Sequence, residues 1–278
     1  LAEDSIVLLK NDEDILPIKN KKVAVIGDMT KRPRYQGAGS STINPYRLTN
    51  LLDCLKEQGI ECSYAQGYER VESENDVTLR EEAIKVAKNS ELVILCVGLT
   101  ENFESEGMDR FTLDIPANQN KLIEEICKVN KKVVIVLSNG SPILMPWKDN
   151  VQAIITGYLG GEAGAEAMVN CLTGKVNPSG KLAETYPLSL EDTPCYNYYP
   201  GTEVSVEYKE SIYVGYRYYD KISKNVLFPF GYGLSYTTFE YSNLNVEEDE
   251  EDIIVRLKIK NTGKVAGKEI AQVYIGQE

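Results

Sequence analysis

Hydrophobic and polar positions fall into two regimes along this chain. Up to about residue 186, short Val/Ile/Leu runs alternate with stretches whose apolar residues recur at helical spacing. "KKVAVIGD" (21–28), "IECSYAQG" (60–67), "ELVILCVG" (91–98), "KKVVIVLSNG" (131–140) and "VQAIITGY" (151–158) read as strands. Between them, "YRLTNLLDCLKEQG" (46–59) sets Leu48, Leu51, Leu52 and Leu55 on one helical face and stops at Gly59. "LREEAIKVAKN" (79–89), "ANQNKLIEEICKVN" (117–130) and "EAGAEAMVNCLTG" (162–174) read as further helices. Unbroken apolar strands alternating with helices predict a parallel sheet covered on both faces, an α/β sandwich. In such sheets ligands gather at the carboxyl ends of the strands. The opening residues, "LAEDSIVLLKNDEDILPI", read as the inside of a helix that begins abruptly, which predicts a piece of something longer.

After residue 186 the pattern changes. "TYPLSLEDTPCYNYYPG" is rich in Pro and Tyr and reads as ordered loop. "SIYVGYRYYD" and "FPFGYGLSYTTFEYS" are dense in aromatics and glycine. "DIIVRLKIKNTG" then sets Ile254, Arg256, Lys258 and Lys260 against Val255, Leu257 and Ile259, as a half-buried strand does, and "KEIAQVYIG" alternates in the same way. Two or three strands cannot bury a β-sandwich core alone, so a partial module is predicted.

Composition narrows the chemistry. The 278 residues, 42% of them hydrophobic, suffice for one large domain with or without a small second one. The net charge of −12 disfavours nucleic acid and anionic membranes as partners. No apolar run approaches the roughly 18 residues needed to cross a bilayer, and no basic n-region marks a signal peptide. There is no histidine, which removes Ser-His and Cys-His pairs and most zinc sites. Catalysis must then use Asp, Glu, Lys, Tyr or Cys, and no metal or cofactor is expected. Cys54, Cys62, Cys96, Cys127, Cys171 and Cys195 form no CxxC pair and read as reduced thiols, which predicts a cytoplasmic location.

Nucleotide signatures fail on inspection. After "VAVIGD", Gly27 is followed by Asp28, Met29 and Thr30, without the GxGxxG spacing. "GKVNPSGKL" (174–182) has five residues between its glycines and Leu182 where a P-loop needs Ser or Thr. "YQGAGSSTINP" (35–45) is a Gly/Ser loop that could hydrogen-bond a sugar or simply connect strand to helix. The densest charge is in "ENFESEGMDR" (101–110), after the strand at 91–98. It offers Glu101, Glu104, Glu106 and Asp109, with Gly107 permitting a turn and Arg110 able to pair with Asp109 or another carboxylate. Spacing alone does not choose among these carboxylates.

"ESEGMDR", "LDIPANQNKLI", "VVIVLSNGSPILMPW", "GYLGGEAGAEAMVNCLTGKVNPSGKLAETYP", "IYVGYRYYD" and "FPFGYGLSYTTFEYS", in this order, resemble glycoside hydrolase family 3, the β-glucosidase family. The resemblance covers essentially the whole chain. It implies a mostly parallel six-stranded α/β sandwich over 1–206, an aromatic and Gly-rich linker over 207–233, and the start of a fibronectin type III-like domain over 234–278. The family's (β/α)8-like barrel has no counterpart here.

The resemblance also implies a retaining mechanism with two carboxylates. The nucleophile is an aspartate on the absent barrel. The general acid/base is the glutamate preceding the glycine of the "EGxDR" motif, which is Glu106. Phe103 would supply an apolar wall, Glu104 is the second candidate, and Asp109 and Arg110 would support the loop. The tract from Tyr213 to Tyr219 would stack on sugar or pack between domains. Expected partners are a β-glucoside or cello-oligosaccharide substrate, the barrel of the same polypeptide, and a homo-oligomer mate through exposed apolar surface. Without the barrel the chain should be inactive. The alternatives are β-xylosidase or dual glucosidase/xylosidase specificity, and a non-catalytic carbohydrate-binding or scaffold module.

Overall fold

A computed structural model describes residues 1–19, 22–250 and 252–276. Lys21, which opens the first expected strand, lies outside the described residues, as do the last two residues of the C-terminal stretch. The elements run α1 (Ala2–Ser5), β1 (Val7–Asn11), β2 (Lys22–Ile26), α2 (Leu51–Glu57), β3 (Glu61–Ala65), α3 (Asp76–Lys88) and β4 (Val93–Gly98). They continue with α4 (Ala117–Val129), β5 (Val133–Ser138), β6 (Ala153–Thr156), α5 (Gly164–Leu172), α6 (Tyr216–Lys221), β7 (Phe239–Glu248) and β8 (Ile253–Asn261).

Six strands make one sheet in the order β1-β6-β5-β4-β2-β3. The strands from β2 to β6 are parallel, and β1 joins antiparallel at the β6 edge. Alternate residues of each strand serve opposite faces. Ala24, Ile26, Val93, Leu95, Ile135 and Leu137 face α3 and α4. Val23, Val25, Ile94, Cys96, Val134 and Val136 face α2 and α5. Both faces being covered is why these strands carry no polar alternation. Each fully buried Val, Ile or Leu contributes roughly 1.5–3 kcal/mol of transfer free energy.

Two local features of the sandwich depart from the expectations. The stretch read as an opening helix is helical only at Ala2–Ser5, and Val7–Asn11 becomes the sixth strand because Val7, Leu8 and Leu9 bury against the sheet edge. The helix expected from residue 46 starts at Leu51, where the Asn50 side chain accepts the Asp53 N–H at 3.0 Å and caps it. Residues 46–49 instead bind Glu162, through the Tyr46 N–H and the Thr49 hydroxyl.

Beyond the sheet, Tyr186 and Phe228 form an isolated bridge and pack edge to face, and Leu234 pairs with Leu8. Tyr216 stacks on Phe230 with ring centroids 5.0 Å apart and meets Tyr274 edge-on at 5.5 Å, so this part of the aromatic tract packs within the chain. β7 and β8 form a separate antiparallel pair. Residues 268–276, expected as a strand, have no ladder partner among the described residues and run as irregular chain over the pair. The alternating pattern supplies a strand's side chains, but hydrogen-bonded neighbours make the strand.

No described helix is long and apolar enough to cross a membrane. All six cysteines are free thiols. Cys54, Cys96, Cys127 and Cys171 are buried, and Cys62 and Cys195 are half-buried.

Candidate active site

Strand order locates the site. From β2 the chain turns to α2 on one face, and from neighbouring β4 it turns to α4 on the other. Connections leaving adjacent strand ends in opposite directions open a crevice at the carboxyl edge, the topological switch point. The loop after β2 and the loop after β4 meet there. A cleft of about 160 Å³, lined in part by Arg34, Tyr35, Gln36, Thr42 and Glu101, lies at this edge. The larger hollow over β7 and β8, about 580 Å³, is lined by Leu244, Val246, Ile253, Val273 and similar residues and holds no carboxylate.

The four carboxylates of the 101–109 stretch have different surroundings. Glu101 pairs with Arg70 at 2.8 Å, and Arg70 also grips the buried Asp28 at 2.6 Å. Glu104 accepts from Arg34 Nη1 at 2.9 Å, from the Gly140 N–H at 2.9 Å and from the Ser141 hydroxyl at 2.5 Å. A Cβ on Gly140 would sit 2.9 Å from Glu104 Oε1, so glycine permits this approach. Asp109 is exposed and accepts from the Tyr199 hydroxyl at 2.5 Å.

Glu106 sits between the two loops. Its N–H donates to the Ala38 carbonyl at 3.1 Å, and its Oε2 accepts the Ser40 N–H at 2.5 Å. Gly39 between them holds φ +103°, and a Cβ there would fall 2.5 Å from Glu106 Cβ and 2.7 Å from Oε2. The Glu106 side chain is exposed, and among the described residues no cation pairs with it. Hydrogen bonds from Ser40 hold its carboxyl below the usual carboxylate range.

Arg110 does not pair with Asp109. Its Nη1 donates to the Ser141 hydroxyl at 2.8 Å and to the Pro142 carbonyl at 2.9 Å. Burial pushes the guanidinium below its ordinary pKa, with Glu104 opposing. Its Nε and Nη2, and the Tyr158 hydroxyl, are buried without a partner among the described residues. Glu184 shares this neighbourhood. Burial first, and the Glu104 charge second, push its carboxyl up to about 7, against the pull of Arg110. Phe103 is half-buried and packs against the core under α4. Met108, Phe111, Tyr46 and Tyr199 lie exposed on the loops of this edge.

The charge of residues 101–110 marks the loop in the sequence, and its supports lie elsewhere in the chain. The sequence marks none of Arg34, Gly140, Ser141 and Glu184, and offers Ser40 only within the Gly/Ser loop at 35–45. Ser141 lies within "VVIVLSNGSPILMPW", where nothing local marks it as a support.

The chain belongs to glycoside hydrolase family 3: residues 6–236 match the profile described as the glycosyl hydrolase family 3 C-terminal domain. It is 48% identical to the thermostable beta-glucosidase B of Acetivibrio thermocellus over 99% of this chain and 37% of that protein. It is 44% identical to the exo-alpha-(1->6)-L-arabinopyranosidase of Bifidobacterium breve, over 99% of this chain and 38% of that protein. The crystal structure of the Bifidobacterium adolescentis GH3 beta-glucosidase superposes with a TM-score of 0.91 at 45% identity, covering 94% of this chain and 39% of that one. The chain thus spans about two fifths of the length of the relatives it matches.

Proposed function

We propose that this chain is the acid/base-bearing part of a retaining β-glucosidase, that Glu106 is the general acid/base, and that the nucleophile lies on a barrel elsewhere in the polypeptide. The observation that carries the reading is the contrast within one loop. Glu101 and Glu104 are taken up by ion pairs, whereas Glu106 is exposed and, among the described residues, accepts only from Ser40. In the first half-reaction Glu106 protonates the glycosidic oxygen as the nucleophile attacks the anomeric carbon. In the second it removes a proton from the water that releases the sugar. This requires the two carboxyls about 5–5.5 Å apart. Arg34, Glu104 and Arg110 hold the loop, and the exposed apolar rim is where the rest of the polypeptide docks. We divide the chain into the sandwich at 1–206, the linker at 207–233 and a fibronectin type III-like beginning from 234.

The sugar specificity follows from groups outside this chain. The arabinopyranosidase relative, at an identity close to that of the glucosidase, favours testing pentopyranosides beside glucosides.

The test compares this chain with the complete polypeptide on chromogenic β-glucosides, β-xylosides and α-L-arabinopyranosides. The lone chain should be silent, the complete protein active, and Glu106→Gln in the complete protein slower by 10²–10⁴-fold, in the range general acid/base catalysis supplies. Turnover by the lone chain would place both carboxylates inside it and overturn the reading.

A further inference from the structure

The loop that carries Glu106 is closed at both ends by one hydroxyl. Ser141 Oγ donates to Glu104 Oε1 at 2.5 Å, two residues before Glu106. The same oxygen accepts from Arg110 Nη1 at 2.8 Å, four residues after it. The rest of Ser141 is anchored in the fold. The fully buried Asn139 donates to the Ser141 carbonyl and to the Tyr186 hydroxyl, each at 2.9 Å. Asn139 Oδ1 in turn accepts from Thr156 of β6 at 3.3 Å. A connected path therefore runs from the sheet through Asn139 and Ser141 to both ends of the acid/base loop. Arg34 closes the other side by holding the Glu104 carbonyl and carboxylate.

We propose that Ser141 is a positioning residue that sets Glu106 for proton transfer by bracing residues 104 and 110 against the end of β5. The proposal rests on the reading of Glu106 as general acid/base. Its geometry matters because proton transfer needs heavy-atom distances near 2.6–3.2 Å, and a loop shift of about 1 Å can cost about 10²-fold in rate. A brace on the acid differs from a substrate contact in one readout. A substrate whose leaving group departs without a proton does not need Glu106 in place.

The test uses Ser141→Ala, Ser141→Thr and Glu106→Gln in the complete polypeptide, on an alkyl β-glucoside and on 2,4-dinitrophenyl β-glucoside. For Ser141→Ala, kcat on the alkyl glucoside should fall about 10–100-fold with KM nearly unchanged. The glycosylation rate on the dinitrophenyl glucoside should change less than about threefold, and Ser141→Thr should restore most of the loss. In the 278-residue chain itself, Ser141→Ala should speed amide hydrogen exchange across residues 103–110 and leave β4 and β5 protected. Equal losses on both substrates, or unchanged exchange over 103–110, would overturn the proposal. Glu106→Gln provides the separate control. If that variant shows no leaving-group dependence, the general-acid reading fails, whatever Ser141→Ala does.

Discussion

Arg34 holds Glu104 at two points, its Nη1 on the carboxylate at 2.9 Å and its Nη2 on the carbonyl at 2.8 Å. The two ends of this pair differ in burial: the Arg34 side chain is 1% exposed and that of Glu104 21%. Removing the carboxylate strands a buried guanidinium, whereas replacing it with an amide keeps the hydrogen-bonding shape. Glu104→Ala should destabilise the chain by about 3 kcal/mol, the lower end for breaking a buried pair. Glu104→Gln should cost about 1–2 kcal/mol. Calorimetry should show melting temperatures lowered by very roughly 6–12 °C and 2–8 °C respectively. A larger loss for the amide than for Ala would contradict the buried-charge argument.

Gly39 should be the most sensitive small residue of the loop after β2. Alanine there meets Glu106 at 2.5 Å and must adopt φ +103°, a conformation costing on the order of 1–3 kcal/mol. Because both loops are on the surface, the strain should be relieved mainly by moving Glu106. Gly39→Ala in the complete polypeptide should lower kcat by about tenfold or more with a melting shift of only a few degrees. Steady-state kinetics with a parallel thermal melt checks the split. An unchanged kcat would show that Glu106 does not depend on its seat.

Glu184 links stability to pH. Its folded pKa is raised to about 7 by burial and by Glu104, above the ordinary carboxylate value of 4.5. The folded state therefore holds this proton more tightly than the unfolded state. The contribution is fully present below about pH 4.5, declines as pH rises, and is lost once pH passes about 7. Glu184→Gln should leave stability at pH 4.5 nearly unchanged. At pH 8 it should stabilise by about 1 kcal/mol, a figure discounted for partial exposure. Urea titrations at the two pH values check this, and equal effects at both would show that Glu184 is not the linked group.

Much of this architecture can be read from local pattern, and the site cannot. The Val/Ile runs of β2, β4, β5 and β6 announce themselves because each is buried on both faces. β1 does not: Val7-Leu8-Leu9 is apolar enough for helix or strand, and pairing with β6, more than a hundred residues away, decides between them. β7 is hidden by its own polarity, since most of its residues are exposed. The loop at 101–110 stands out by its charge, yet the roles of its glutamates are assigned by residues remote in sequence. Arg34 lies 70 residues from Glu104, and Gly140 and Ser141 lie 36 and 37 residues away. No local window contains that selection, which is why spacing left Glu104 and Glu106 equivalent.

On the proposed reading, the protonation of Glu106 separates the lone chain from the complete polypeptide most sharply. A general acid must carry its proton near neutral pH, which calls for burial or a neighbouring negative charge. Here the side chain is exposed and its hydrogen bonding to Ser40 favours the ionised form, so the shift runs downward. By linkage, this group adds stability above the ordinary carboxylate pKa, and the gain is lost as pH falls through the lowered folded value. On the proposed reading, the upward shift that catalysis needs comes from outside the chain, through a nucleophile carboxylate brought near and water excluded from the crevice. In carbon-detected NMR titrations, the Glu106 carboxyl of the 278-residue chain should titrate below 4.5. In the complete polypeptide the neighbouring nucleophile carboxylate should move it up. Replacing the barrel nucleophile with its amide should bring it part of the way back down. A Glu106 that already titrates near neutrality in the lone chain would mean that its environment is complete without the barrel, and the shared-site reading would fail.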